Sequence, residues 1–434
     1  MKPIISQGVE VPVPEDVSRG AVRGHALGKR EFICMMAMIQ ALQSLGFASL
    51  LPALGDIAAE LNAGAPNQRQ WVIGIFLISS GLFSLVPGTI SDRVGRRPVL
   101  LLCMGIFASI NLLCAFITDF TVLLVARALL GCASSALVVL PLAIIRDRYQ
   151  GDDMAKLQAL VAMLFIAVPT LAPSLGYVIL ELAGWRAIFL VIGMLCAAVL
   201  VWYYFRMDET LAPSRRQKHS ARDLLGNINL VVSSRRSIGY VLGLSLVFGA
   251  HFGFINSSQQ LIGEAFGAGA AYPIIFGLMA GSMALASIAT SAIVHRFGTR
   301  RVGHAAVFCH MLVSLSQVWL ASQPGETLLH FALLMSANMC LLMMIFITFT
   351  SITLQPFGKL AGAAASVQTF FRLVVGAGLG ALIGQAYDGT PLPLACSLLA
   401  VGVLTLALVL FSERGRLFQA SGDIPEMTPR SLTR

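Results

Sequence analysis

Residues 88–100 read GTISDRVGRRPVL. Asp92, Arg93, Arg96 and Arg97 crowd together between two long apolar runs, and Gly88 and Gly95 punctuate them. A turn between two membrane spans needs only polarity to stay in water. It does not need one carboxylate, three guanidinium groups and two glycines in a fixed order, so this turn carries more information than its polarity.

The runs on either side set the class. Of 434 residues, 57% are hydrophobic and 12% charged, with mean hydropathy +0.80. A soluble domain carries roughly 25% charged residues. A helix crossing about 30 Å of hydrocarbon needs roughly 20 apolar residues. Such runs at about 32–53, 70–90, 98–117, 121–144, 157–179, 186–206, 238–258, 273–294, 302–321, 327–350, 362–386 and 392–412 predict twelve transmembrane helices. The runs are continuous, not alternating, which excludes a transmembrane β-barrel.

The formal net charge of +9 follows from topology and does not point to nucleic acid. With the N-terminus inside, all but four of the 30 Lys and Arg fall in segments on the cytoplasmic side. Arg69 and Arg186 lie outside, and Arg127 and Arg372 fall within spans. Both termini are therefore expected in the cytoplasm. The expected divisions are a tail at 1–31, a six-helix bundle at 32–206, a basic linker at 207–237 facing anionic lipid, a second bundle at 238–412 and a tail at 413–434. Residues 1–30 lack the apolar core of a cleavable signal. The eight cysteines lie in spans without CxxC spacing, so they read as small apolar residues and not as disulfides or metal ligands.

The two halves repeat. DRVGRRPV (92–99) returns as HRFGTRRV (295–302), RALLG (127–131) as FALLM (331–335), and Leu175-Gly176 as Leu379-Gly380, at offsets of 203, 204 and 204. Parallel repeats imply a pseudo-two-fold axis along the membrane normal and a site between the halves near the midplane.

Charge inside the spans marks candidate sites, because an ionised group there is costly and calls for a partner or a wet cavity. Arg127 and Arg372 are such groups; either could also be structural, bonded to carbonyls or to a paired residue. No Asp or Glu lies well inside a span; Glu31 stands at the cytoplasmic lip and could serve in proton coupling if the first helix begins lower. His251, near the middle of the seventh helix, is the candidate proton carrier, since histidine titrates near neutral pH. His310 and His330 are weaker alternatives. Gln40, Gln43, Asn256, Asn338 and Gln368, with His251 and Arg372, are candidate cavity residues. No Walker loop, metal cluster or nucleophile constellation is present, so neither ATP hydrolysis nor enzymatic chemistry is expected, and no cofactor.

The 88–100 stretch resembles the loop between the second and third helices of the major facilitator superfamily, G-x-L-a-D-r-x-G-r-k-x-x-l, with Gly88, Asp92, Arg93, Gly95, Arg96 and Arg97 in place and Ile90 for Leu. The resemblance implies that this loop latches the cytoplasmic gate, with Asp92 near the start of the eleventh helix at Gly358-Lys359. LLVARALLG (123–131) resembles the fourth-helix motif whose arginine, here Arg127, is linked to proton transfer; Leu130 replaces the usual Gln. AVPTLAPSLGY (167–177) resembles the antiporter motif of the fifth helix, with Pro169, Ala172, Pro173 and Gly176, and with Tyr177 for its last Gly. Helices 1, 4, 7 and 10 of that fold face the centre, which favours Gln40, Gln43, His251, Asn256 and Asn338.

LPALGDIAAEL (51–61), GWRAIFLVIG (184–193), DETLAPSRR (208–216) and AGAAASVQTF (361–370) are similar to the Bcr/CflA group of drug:proton antiporters. That group places an Asp where this chain has Ala48. The resemblance implies a monomeric exporter in the bacterial cytoplasmic membrane, working on small molecules and protons by alternating access. Two other readings stand beside it: a proton-linked or facilitative transporter of an anionic metabolite, and a receptor or scaffold that transports nothing.

Overall fold

A computed structural model describes residues 28–64, 66–149, 151–216, 226, 229 and 232–418. It contains helices and no strand among those residues. The first half comprises α1 (Lys29–Ala48), α2 (Leu54–Glu60), α3 (Trp71–Phe83), α4 (Val86–Val94), α5 (Arg96–Cys114), α6 (Phe120–Arg148) and α7 (Gly151–Arg206). The second comprises α8 (Arg235–Gln259), α9 (Tyr272–Phe297), α10 (Thr299–Ala321), α11 (Leu328–Leu354), α12 (Ala361–Gln385) and α13 (Leu392–Ser412).

Among the described residues ten segments are long and apolar enough to cross a membrane, and α3 with α4 makes an eleventh, bent by 45°. The bend falls at Ser84-Leu85, where Ser84 turns its hydroxyl onto Gly81 O at 2.7 Å and Pro87 begins the next helix without an N–H. In α7 two of the expected spans run end to end, broken only at Gly184, whose φ of 78° suits a residue without a Cβ. Dividing α7 there matches the twelve expected crossings.

Helix ends follow local chemistry. The Asp119 carboxylate caps α6 by accepting from Val122 N at 2.9 Å, and Thr327 opens α11 as its cap. Gly95 and Gly298 separate α4 from α5 and α9 from α10 with φ of 121° and 85°. Large apolar side chains such as Phe116, Leu182 and Phe205 remain exposed on the outer surface, where a lipid-facing helix needs them. The core runs through both halves.

Between halves, α3 packs on α12 and α7 packs on α9. By the repeat, α3 corresponds to α9 and the first arm of α7 to α12. The two contacts are therefore symmetry mates, and they place the pseudo-two-fold axis between the bundles.

Candidate functional site

At the 88–100 end, α4 breaks at Gly95 and α5 starts with two arginines. Glu209, three residues past α7, accepts from the backbone N–H of Arg96 at 2.9 Å and of Arg97 at 3.1 Å. It thereby satisfies two N–H groups that a helix start leaves unpaired, and sets a negative charge at the positive end of α5. A Cβ on Gly95 would collide with that carboxylate, so glycine is required for space as well as for its φ. The Arg96 side chain meets Asp92 at 2.6 Å and Asp147 at 3.0 Å, and donates to Ser91 Oγ at 2.6 Å. Arg97 donates to Tyr204 O at 2.6 Å. Gly88 lies one turn before Asp92, where an added Cβ would make only ordinary contact with Val139. Asp92 and Arg93 each have a further interaction. The expected approach of Asp92 to Gly358-Lys359 falls on side chains outside the described residues.

At the opposite end the halves are joined by hydrogen bonds that the local sequence does not announce. Asn67 donates to Gln385 O at 2.9 Å and Tyr387 O at 3.0 Å, and Gln385 returns a bond to Asn67 O at 2.6 Å. Gln70 donates to Gln260 Oε1 at 2.8 Å. Arg69, expected as an isolated loop charge, forks onto Glu264 at 2.9 and 3.2 Å. Tyr387 donates to Gln260 O at 3.3 Å; burial and then the Glu264 charge raise its pKa, so it stays protonated as a donor. Sequence reasoning missed this seal. Its cross-half partners are 190 or more residues apart, and the one available signal is a cluster of amides at span ends, Asn67, Gln70, Gln259 and Gln260.

Inside the bundle the predicted residues separate into groups. Arg127 is fully buried and donates Nε to Val72 O and Nη1 to Gly46 O, both at 2.8 Å, with its plane over Phe76 at 4.4 Å. It ties α6 to α1 and α3 through carbonyls. Glu31 pairs with Arg206 at 2.6 Å and accepts from Trp202 at 3.2 Å, so it joins the first and last helices of its own half. Ala172 and Pro173 are buried, and Gly176 brings α7 against Ser49 O so closely that a Cβ would clash. The side chain of Pro169 lies outside the described residues.

Gln40 donates to Val138 O at 3.2 Å, and Asn256 to Gly380 O at 3.4 Å. Asn338 turns into the second bundle, donating to Gln317 at 2.6 Å and accepting from Ser314 at 3.0 Å. Gln43 Oε1, Asn256 Oδ1 and Gln368 Nε2 are buried without a hydrogen-bond partner. His251 is half-buried, with Nδ1 3.2 Å from Met339 Sδ. Arg372 stands on α12 with Phe248 of α8 and Phe346 of α11 each 5.5 Å from its guanidinium carbon. Among the described residues no cluster of His, Cys, Asp and Glu could hold a metal.

Two bundles related by one axis, an Asp-Arg turn at one end and polar groups at the midplane agree with the superfamily that the turn resembles. The Major Facilitator Superfamily profile matches residues 36–381. The chain belongs to that superfamily. It is similar to an uncharacterized MFS-type transporter of Bacillus subtilis, YdgK, at 27% identity over 378 residues, 85% of this chain and 92% of that one. It is also similar to the multidrug resistance protein MdtL of Escherichia coli, at 27% identity over 404 residues, 91% of this chain and 98% of that one. The crystal structure of the human organic anion transporter MFSD10 superposes with a TM-score of 0.66 at 20% identity, covering 88% of this chain and 99% of that one.

As a superfamily member this is a multi-pass membrane transporter and not an enzyme. What such a fold offers a small molecule is the region between the halves. Polar groups of the two bundles that keep an unpartnered buried atom include Gln43, Asn256, Gln368 and Arg372.

Proposed function

We propose that this transporter is of the Bcr/CflA type and exports small organic molecules across a bacterial cytoplasmic membrane, in exchange for protons, by alternating access. The observation that carries the reading is the pairing of two different devices at the two ends of one fold. A cross-half seal of Asn67, Arg69 and Gln70 with Gln260, Glu264 and Gln385 closes one end. The Asp92–Arg96–Asp147 cluster sits at the other. Alternating access needs each end to close in turn around a fixed site. The similarity to MdtL, named a multidrug resistance protein, supports small-molecule export.

On this reading both termini, the 207–237 linker and the 88–100 turn are cytoplasmic, the 32–206 and 238–412 bundles rock against each other, and the unit is a monomer. His251 carries the coupled proton. Of the three coupling candidates, Arg127 is engaged by carbonyls and Glu31 by Arg206, while among the described residues His251 has a thioether as its one polar partner. The test is a drug-susceptibility panel in an efflux-deficient host, with and without a protonophore, alongside His251→Ala. Resistance that collapses with the protonophore is expected, as is loss of proton-driven exchange in His251→Ala with counterflow retained. Resistance indifferent to both gradient and His251 would remove proton antiport.

A second reading, transport of an anionic metabolite, is favoured by one observation: Arg372 lies near the middle of α12, and no Asp or Glu lies well inside a span to answer it.

A further inference from the structure

We propose that the site between the halves selects amphiphilic organic monoanions, held by Arg372 and Gln368 through the anionic group and by Phe248 and Phe346 through the apolar body. This deepens the transporter reading and rests on it.

The two intramembrane arginines make the argument by contrast. Placing an arginine in a membrane interior costs about 2.5–3.5 kcal/mol on insertion scales, so its donors are expected to be occupied. Arg127 meets most of that expectation: Nε and Nη1 are on carbonyls and Phe76 lies against the guanidinium, leaving only its buried Nη2 without a partner. Arg372 does not. Among the described residues it has no carboxylate and no carbonyl; its contacts are two phenyl rings at 5.5 Å, and its Nε is shut from solvent without a partner. Arg127 is what a structural arginine looks like in this fold, and Arg372 lacks its support.

The geometry also says what would complete it. Rings bearing on a guanidinium leave the N–H fork, which lies in the plane of the group, available for a bidentate oxyanion. Gln368 precedes Arg372 by one helical turn, on the same face of α12, and its buried Nε2 also lacks an acceptor. A carboxylate or similar group meeting both would satisfy the buried donors Arg372 Nε and Gln368 Nε2 together. Phe248 and Phe346 are only partly buried, so they offer apolar surface beside the charge. A cationic ligand would meet an uncompensated positive charge at low dielectric and be repelled.

The position links binding to movement. Leu373 and Val374, next to Arg372, meet Gly81 of α3 at the contact line between the halves, where a Cβ on Gly81 would stand 2.7 Å from Leu373 Cβ. An anion seated on Arg372 therefore lies one residue from the surface across which the halves must slide.

The test uses the full chain in detergent and three probes that share one ring system: naphthoate, naphthamide and naphthylmethylamine. Binding is measured by calorimetry. Naphthoate is expected to bind at least about tenfold more tightly than naphthamide, the range of one charge-assisted hydrogen bond, and the amine most weakly. Arg372→Gln should erase the preference of acid over amide while leaving amide binding, and Arg372→Lys should keep part of it. If Arg372→Gln does not fold, Gln368→Leu should narrow the same ratio in a protein whose charge is unchanged. Equal binding of the three probes by the wild type, preference for the amine, absence of naphthoate binding, or a preference that survives Arg372→Gln overturns the proposal. The readout does not depend on direction or coupling. Loss of drug export in cells with the acid preference intact would sink the exporter reading alone, and export of neutral drugs without that preference would sink this one alone.

Discussion

The turn at 88–100 and its repeat at 295–302 solve the same problem with different parts. Each turns on a glycine of positive φ, Gly95 and Gly298, and each recruits a glutamate from just past the last helix of its half. Glu209 and Glu413 even lie at the repeat offset, and each is 113 residues beyond the arginine it meets, Arg96 and Arg300. The use differs. Glu209 accepts from backbone N–H groups, leaving the Arg96 side chain to Asp92 and Asp147. Glu413 accepts from the Arg300 side chain and from Tyr240 at 2.6 Å, and Tyr240 also bonds His304 at 2.8 Å. In the second half Asp92 has become His295, which is exposed. The shared element is thus the glutamate after the last helix of each half, while among the described residues the Asp-Arg pair belongs to the first half. One turn holds an aspartate–arginine cluster that a moving gate could break and remake; the other is a closed, buried knot.

That difference can be broken experimentally, and the knot should suffer most. Arg300 and Glu413 are 5% and 9% exposed at their side chains, and removing one partner of a buried pair costs about 3–5 kcal/mol. Glu413→Ala should therefore lower the unfolding midpoint in detergent more than any other change in either turn. A smaller drop than for Glu209→Ala would erase the distinction. Arg96→Ala comes next, because it strands two carboxylates at about 1–3 kcal/mol of lost hydrogen bonding, and it should reduce transport more than stability. Full flux in proteoliposomes would contradict a gate role. Glu209→Ala removes a helix-start cap, at about 1 kcal/mol, and should be visible as faster amide exchange at the start of α5. The smallest effect is expected from His295→Asp, within about 0.5 kcal/mol, since the position is exposed and Arg300 is already paired. A large stabilisation there would show that the second turn can still accept the first turn's latch.

The fold was legible because membrane crossing depends on length and apolarity, which the chain displays twelve times over, and because the repeat fixed the symmetry. The bend at Ser84-Leu85 and the near-continuous α7 were not, since both depend on single-residue geometry inside apolar runs. Facing directions were the weakest part. A helix that is apolar all round gives no stripe to read, so Asn338 could be placed at the midplane but not turned toward Ser314 and Gln317. Arg127 shows the same limit: its position was evident, but its partners are carbonyls of Gly46 and Val72, and carbonyls have no sequence signature. The seal at Asn67, Arg69 and Gln70 was invisible for a third reason, because its partners belong to the other half.

The 113-residue spacing also has a meaning in time. A ribosome making roughly 5–20 residues per second needs on the order of 6–20 s to travel from Arg300 to Glu413, and the same from Arg96 to Glu209. During that interval Arg96 already has Asp92, four residues away and made before it. Arg300 has no such companion: four residues before it stands Arg296, and five before it His295. The second bundle must therefore hold an unanswered arginine at the membrane edge until its last helix has been made. Beyond that helix, Phe418 bonds its N–H to His304 at 3.1 Å and its carbonyl to Arg301 at 3.2 Å. A chain stopped at Ser412 would hold the membrane helices described above and still lack the glutamate that answers Arg300.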